Sequence, residues 1–345
     1  MNILAITSMR NEGPHCLEWI AHHRAAGFTH FLIYSNDCDD GTDRMLDALA
    51  AAGIVTHVPL MVRGKRSVQW QALKQAGEHA MLAQADWAMV ADCDEFLNLR
   101  APLAGVQELI AALPEGTDAV ALPWRLFGHS GRIEMEDGLT TEQFVHAAPE
   151  GMALPLSHFF KTLFRPGKFR QPGVHRPKRK ADAAPSWVNG GGAALPEKFG
   201  QADHRINLFG LPNTSQLAQL NHYSLRAAEN FMLKRARGLP NHMDRDIGLG
   251  YWVERNFNTV EDRSIARMLP ATREVLTGLL KIDGIAELHT AALAAHRTGF
   301  ARMMEKLENV QLFWQLVLSA DSTPPPPQVA QAQIRRFMSA RGAND

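Results

Sequence analysis

Cysteine is scarce, neither sign of charge dominates, and long apolar runs are missing. The three cysteines, Cys16, Cys38 and Cys93, are an odd number with no CxxC spacing. That argues against a disulfide framework and against a cysteine zinc site, and it fits a reducing cytoplasm. Thirty-six basic and 36 acidic residues cancel, so there is no broad positive field to hold nucleic acid and no polybasic membrane anchor. No run of about 18 apolar residues occurs, so no transmembrane segment is expected. The apolar stretch in MNILAITSMRNEG is too short for a signal peptide and has no basic leader. No internal repeat is visible. What is left is a soluble cytoplasmic globular protein of 345 residues, 46% hydrophobic, long enough for one extended domain or two unequal ones.

The first hundred residues alternate between two periods. Asn2 to Ser8, HFLIYS (30–35), IVTHVPL (54–60) and Trp87 to Ala91 read as buried strands. Between them, Leu17, Ile20 and Ala21 follow Pro14 at helical spacing, Asp40 is placed to cap a helix through Leu46 and Leu49, and Val68, Ala72, Leu73, Ala76 and Ala80 share one helical face. Alternation of this kind predicts an α/β fold with a mostly parallel, twisted sheet and helices on both faces. DAVALP (118–123) adds a strand, and 124–205 reads as loop-rich. Helical patterning returns at LRAAENFMLKRARG, with Gly238 as a stop, and again over 271–320. STPPPP (322–327) then sets off an 18-residue tail.

A sheet of this type binds ligands beyond the carboxyl ends of its strands. Three polar clusters fall there: Ser8 to Glu12, Asn36 to Asp40, and Asp92 to Glu95 in WAMVADCDEFLNL. Asp92 and Asp94, two apart behind a buried strand, would repel each other unless something positive lay between them. A hard divalent cation, Mn²⁺ or Mg²⁺, suits that gap and keeps positions open for substrate phosphates. An acidic turn in which Asp94 merely caps a helix is the alternative.

The stretch MRNEGPHCLEWIAHHRAAGFTHFLIYSNDCDDGTDRMLDALAAAGIV, the ADCDEF motif and the later NHY with KRARG resemble the bacterial glycosyltransferase family 2 type proteins, close to the family 92 group, over about residues 1–240. The resemblance implies a GT-A fold, Rossmann-like, with a helical C-terminal extension. Residues 1–100 would form the nucleotide-binding half, 101–240 the acceptor half, 241–321 a helical region, and 322–345 a Pro-rich linker and tail. It also implies a metal-dependent transferase working in polysaccharide biosynthesis. Such an enzyme moves a sugar, with inversion, from a UDP- or GDP-sugar to a glycan, lipid-linked or other acceptor, and peripheral membrane association is compatible with that role.

Residue by residue, Asp92 and Asp94 match the DxD that holds the cation against the diphosphate, and His222 matches a downstream histidine that completes the metal site. Glu95 would support the loop or contact the sugar. Arg10, Asn11 and Glu12 match the nucleotide-side loop. The family 2 turn of leading aspartates reads SNDCDDGT here, so Asn36 stands at the base-contact position and Asp37 is the substitute. Lys234, with Arg235 and Arg237, would either neutralise the leaving diphosphate or form a solvated helix end. On the acceptor side, Trp124 and Trp187 would either stack on sugar rings or sit in the core. Lys161, Arg165, His175 and Arg176 would hold an anion or form a solvated loop, and Asn189 to Gly192 would be either a lid or a surface turn. Inversion needs a carboxylate base beyond the DxD. Glu134, Asp137 and Glu142 are the candidates, with Glu142 favoured because TTEQF would begin a helix and Asp203 further off.

Three other readings remain. A nucleotidyltransferase of similar fold would want a Gly-rich basic loop where MRNEGPH stands. A non-catalytic nucleotide or sugar binding module would keep the fold without the chemistry. A metal-dependent hydrolase would want HxH or HExxH, whereas His22 and His23 in AHH lie on an amphipathic helix and read as surface.

Overall fold

The computed structural model describes residues 1–62, 64, 67–238 and 247–342. The expected strands form: β1 (Ile3–Met9), β2 (His30–Ser35), β3 (Thr56–Pro59) and β4 (Trp87–Val90) are mutually parallel in the order β3-β2-β1-β4. Five more complete a nine-stranded sheet among the described residues. They are β5 (Glu95–Leu99), β6 (Ala119–Leu126), β7 (Phe160–Phe164), β8 (Trp187–Asn189) and β9 (Ala218–His222). β7 runs antiparallel between β4 and β6, while β9 lies parallel to β6 and antiparallel to β5. The sheet therefore continues across both of the halves expected at 1–100 and 101–240.

Successive side chains of a strand point to opposite faces, and β1 is apolar on both. Ile3 and Ala5 join one core with helices α1 (Gly13–Ala25) and α2 (Thr42–Ala51). Leu4 and Ile6 join a second core with α3 (Val68–Glu78). Three further helices, Leu269–Leu280, Ile285–Met303 and Leu307–Leu318, follow, and the first two pack on α1. Pro327–Gly342 is helical, so the tail continues as an ordered element. The expected boundary at 240/241 lies outside the described residues. No described helix is long and apolar enough to cross a membrane.

Covering α1 from outside changes one expectation. His22 and His23 are fully buried, not on the surface. His22 Nε2 lies 2.7 Å from Leu97 O, and His23 Nδ1 lies 2.9 Å from Trp19 O. Asp40, by contrast, caps as expected, and at two helices. Its Oδ1 accepts from Thr42 N at 2.9 Å and its Oδ2 from Gly13 N at 2.9 Å, with His296 Nε2 also 2.9 Å from Oδ2. Although burial works against its charge, these bonds hold the Asp40 carboxyl down at about 2.

Candidate active site

β1, β2 and β4 all end at one side of the sheet, and the loops that follow them border a cavity of about 750 Å³. Ser8, Arg10 and Glu12 arrive from the first loop, Asn36 from the second, and Asp92 and Asp94 from the third. The opposite wall carries Trp124 from the end of β6, His175, Asp203, and His222 from the end of β9. Lys234 and Arg237 reach in from the helix Ala228–Arg237, which stops at Gly238, where φ is +78°, as the sequence predicts.

The acidic cluster is neutralised from two directions. Asp92 Oδ2 accepts from Lys161 Nζ at 2.9 Å, and its Oδ1 accepts from Gln69 Nε2 at 2.7 Å. Lys161 is fully buried and also lies 3.2 Å from Glu95 Oε2, the oxygen that accepts the Asp92 backbone N–H at 2.7 Å. Glu95 thus supports the loop, one of its two expected roles. Burial pushes its carboxyl up to about 8, against the pull of Lys161. Asp94 Oδ2 accepts from Lys234 Nζ at 2.7 Å, and Lys234 also donates to Ser224 O at 2.8 Å. Lys234 offsets the cost of burial and holds the Asp94 carboxyl well below the usual range.

His222 Nε2 lies 3.6 Å from Asp94 Oδ1, beyond hydrogen-bonding distance. Burial holds the imidazole down at about 3, so it is neutral at physiological pH. Its ring packs on Trp124 with centroids 4.2 Å apart. Two donors each about 2.1 Å from one ion would stand roughly 3 Å apart or slightly more, so Asp94 and His222 fit a divalent cation as a pair. Asp92 has both its oxygens engaged by Gln69 and Lys161. No group of three His, Cys, Asp or Glu suited to a metal occurs among the described residues.

The first loop is clamped by the same helix that supplies Lys234. Glu12 pairs with Arg237 and, at 3.3 Å, with Arg226. Arg237 Nη1 donates to Arg10 O at 2.9 Å and to Asn11 O at 3.0 Å. Asn11 takes a positive φ of 51°, and its Oδ1 accepts from Asp39 N at 2.9 Å, which ties the first loop to the second. Asp37, with φ 45°, accepts a 2.9 Å bond from Asn36 Nδ2. Asn36 borders the cavity, whereas Asp37 does not.

The structure separates the other predicted residues. Trp124 and His175 border the cavity, but Trp187 is core, stacked on Arg176 at 4.1 Å. The expected basic cluster disperses. Lys161 points into the acidic loop, Arg165 lies over Trp87 at 4.7 Å, and Arg176 donates to Gly200 O at 2.9 Å, although it too borders the cavity. Asn189 to Gly192 is not a lid. Cβ atoms at Gly190 and Gly191 would stand 2.3 Å from Ala218 O and 2.2 Å from Gln216 Oε1, so this turn is packed against the chain before β9.

Glu134, Asp137 and Glu142 do not border the cavity. Glu142 is on the surface with Arg273, Asp137 is exposed beside His289, and Glu134 is exposed. The cause is Glu18 on α1, buried, which accepts from Thr140 N at 2.7 Å and from Thr141 N at 2.9 Å and holds that segment away. Gln69 is the contributor that sequence reasoning missed, and Lys161, expected in an acceptor-side basic cluster, pairs with the acidic loop instead. A lone lysine inside the apolar run FFKTLF was the available signal, since a charge in a buried strand requires a partner.

The geometry defines a charged cavity at the switch edge of an α/β sheet, the class of site that binds phosphorylated ligands. The family model of glycosyltransferase family 92 matches residues 12–188, just over half of the chain. The chain belongs to that family and is a glycosyltransferase. No curated protein matches it. Among solved structures it is similar to S. aureus TarS 1–349, with 12% identity over 96% of this chain and 83% of that one, TM-score 0.36. The same protein in complex with UDP-GlcNAc gives 12% identity over 94% and 82%, TM-score 0.37. HddC from Yersinia pseudotuberculosis gives 9% identity over 49% and 79%, TM-score 0.29.

Proposed function

We propose that the 750 Å³ cavity binds a nucleoside-diphosphate sugar and transfers its sugar to an acceptor hydroxyl with inversion. The observation that carries this is the convergence of Lys234, Arg237 and the Asp94–His222 pair on the loops after β1 and β4. The nucleoside lies toward Ser8, Arg10 and Asn36. Lys234 and Arg237 meet the diphosphate and stabilise its charge as the glycosidic bond breaks. A divalent cation, Mn²⁺ or Mg²⁺, held by Asp94 and His222 would add Lewis-acid stabilisation to the same leaving group.

The acceptor enters along Trp124 and His175. Among the described residues four carboxylates border the cavity: Glu12, Asp92, Asp94 and Asp203. The first three are bound closely by lysine or arginine, whereas Asp203 Oδ1 has Arg179 Nε 4.0 Å away and a 3.4 Å bond from Arg179 N. Asp203 is therefore the base that takes the acceptor proton.

Thermal shift with UDP and GDP, each with Mn²⁺ and with chelator, tests the reading. A stabilisation by one diphosphate that Mn²⁺ enhances and Asp94→Asn removes is the expected result. No shift with either nucleotide would leave a binding module of the same fold.

A further inference from the structure

A second cavity, of about 390 Å³, adjoins the first, and Trp124 borders both. Leu156 faces the first cavity and Ser157 the second, so the turn Pro155–His158 divides them. Its walls mix apolar side chains with polar ones, among them Arg100, Arg125, Glu150, Asn213 and Gln216.

Arg125 is the unusual member. It stands near the end of β6 with its side chain 8% exposed, yet Nε and Nη1 have no hydrogen-bond partner among the described residues. A guanidinium carries five donors, and a buried one is normally satisfied. The nearest carboxylate, Asp262 Oδ2, is 3.5 Å from Nε, and its Oδ1 already accepts from Ser264 N at 2.9 Å and Ser264 Oγ at 2.5 Å. Arg100 on the same wall donates to Gln219 Oε1 at 2.7 Å and to the exposed Glu150 at 3.0 Å. Asn213 Oδ1, also buried, has no hydrogen-bond partner among the described residues. A buried guanidinium short of acceptors, in the wall of a cavity that amides also line, matches an oxyanion with sugar hydroxyls beside it.

We propose that this second cavity binds an anionic group, carboxylate or phosphoryl, carried by the acceptor saccharide, with Arg125 as its principal ligand and Arg100 in support. The acceptor then spans the two cavities across Trp124, its reacting hydroxyl on the Asp203 side. Only the word acceptor rests on the transferase reading, because the anion site stands on Arg125 itself.

D-glucuronate, glucose 6-phosphate and D-glucose serve as probes in a calorimetric or NMR titration of the full chain. At least one anionic probe should bind tenfold or more tightly than glucose. Glucuronate alone would mark a uronate acceptor, and the phosphate ester alone a phosphorylated one. That preference should vanish in the doubly neutral Arg125→Gln/Asp262→Asn variant, weaken several-fold in Arg100→Gln, whose side chain is less buried, and persist in Lys234→Met. Binding without preference for the anions, preference unchanged in both arginine variants, or preference lost only in Lys234→Met would overturn the proposal. UDP and GDP titrated in parallel keep the two readings apart. Failure of nucleotide binding in the wild-type chain counts against the donor site alone, and loss of anion preference with nucleotide binding intact counts against the second cavity alone.

Discussion

Lys161→Met tests the neutralisation of the acidic loop most directly. The substitution keeps the buried aliphatic stem and removes only the ammonium, so the cavity term is small. What it leaves is Asp92, whose side chain is 32% exposed and can be rehydrated, and Glu95, which is wholly buried. Breaking a buried ion pair by removing one partner typically costs about 3–5 kcal/mol, because the remaining charge has neither water nor a counterion. Rehydration of Asp92 places this case near the lower end, about 3 kcal/mol. Urea unfolding at pH 9, where the wild-type Glu95 carboxyl, pushed up to about 8, is mostly ionised, measures the cost by tryptophan fluorescence as a fall in midpoint at unchanged slope. The double variant Lys161→Met/Glu95→Gln closes the cycle: with the second charge gone, it should recover at least half of the loss. A single-variant cost below about 1 kcal/mol, or simple additivity in the double variant, would refute the account, since either means that Glu95 does not depend on Lys161.

Asp203→Asn should lower turnover by about 100-fold or more while leaving nucleotide affinity unchanged, as read from kcat and nucleotide titration, because a general base acts on the acceptor and not on the donor. Arg237→Gln should weaken nucleoside-diphosphate binding about tenfold, since one charge-assisted contact is lost and the clamp on Arg10 and Asn11 loosens; unchanged affinity in a calorimetric titration would remove Arg237 from the site. Burial holds His22 down at about 4 against 6.5, so the unfolded chain binds the extra proton first. Its contribution is fully present above pH 6.5 and is lost as pH falls toward 4, about 3 kcal/mol in all. His22→Gln should therefore flatten the acid limb of the stability profile between those pH values, and an unchanged slope would assign that limb to other groups.

The alternation of the first hundred residues was legible because each strand is a short apolar run closed by polar residues, and the clusters at those closures are the ones that meet in the cavity. Arg10, Glu12, Asn36, Asp92 and Asp94 were found by position at strand ends, and His222 and Lys234 by resemblance. What local pattern could not carry was the outer covering. Helix Leu269–Leu280 packs on α1 from outside, so the face bearing His22 and His23, polar on paper, is interior, with Thr272 Oγ1 3.4 Å from His22 Nδ1. Nor does distance along the chain past the DxD predict acceptor-side carboxylates. One buried glutamate, Glu18, reaches 122 residues forward to Thr140 and takes the TTEQF helix elsewhere. Trp187 went to the core with the Arg176 guanidinium seated on its indole, while Arg176 still borders the cavity.

The two aspartates of the acidic motif, equivalent in sequence, are divided by their partners. Lys161 comes from a strand lodged between β4 and β6 and reaches Asp92 from beneath, together with Glu95, so that pair belongs to the framework. Lys234 comes from a helix whose last turn also grips the first loop, so Asp94 is joined to the cavity and to the backbone of Arg10 and Asn11 at once. A ligand that drew Lys234 away from Asp94 Oδ2 would remove the nearest ammonium, and a divalent ion between Oδ1 and the neutral His222 would then meet less repulsion. Phosphate and metal would then assist each other at Asp94, whereas Asp92, already satisfied by Gln69 and Lys161, has no such exchange to make. The carboxylates of WAMVADCDEFLNL are therefore divided between two settings: Glu95 holds the loop in place, and Asp94 borders the cavity beside Lys234 and His222.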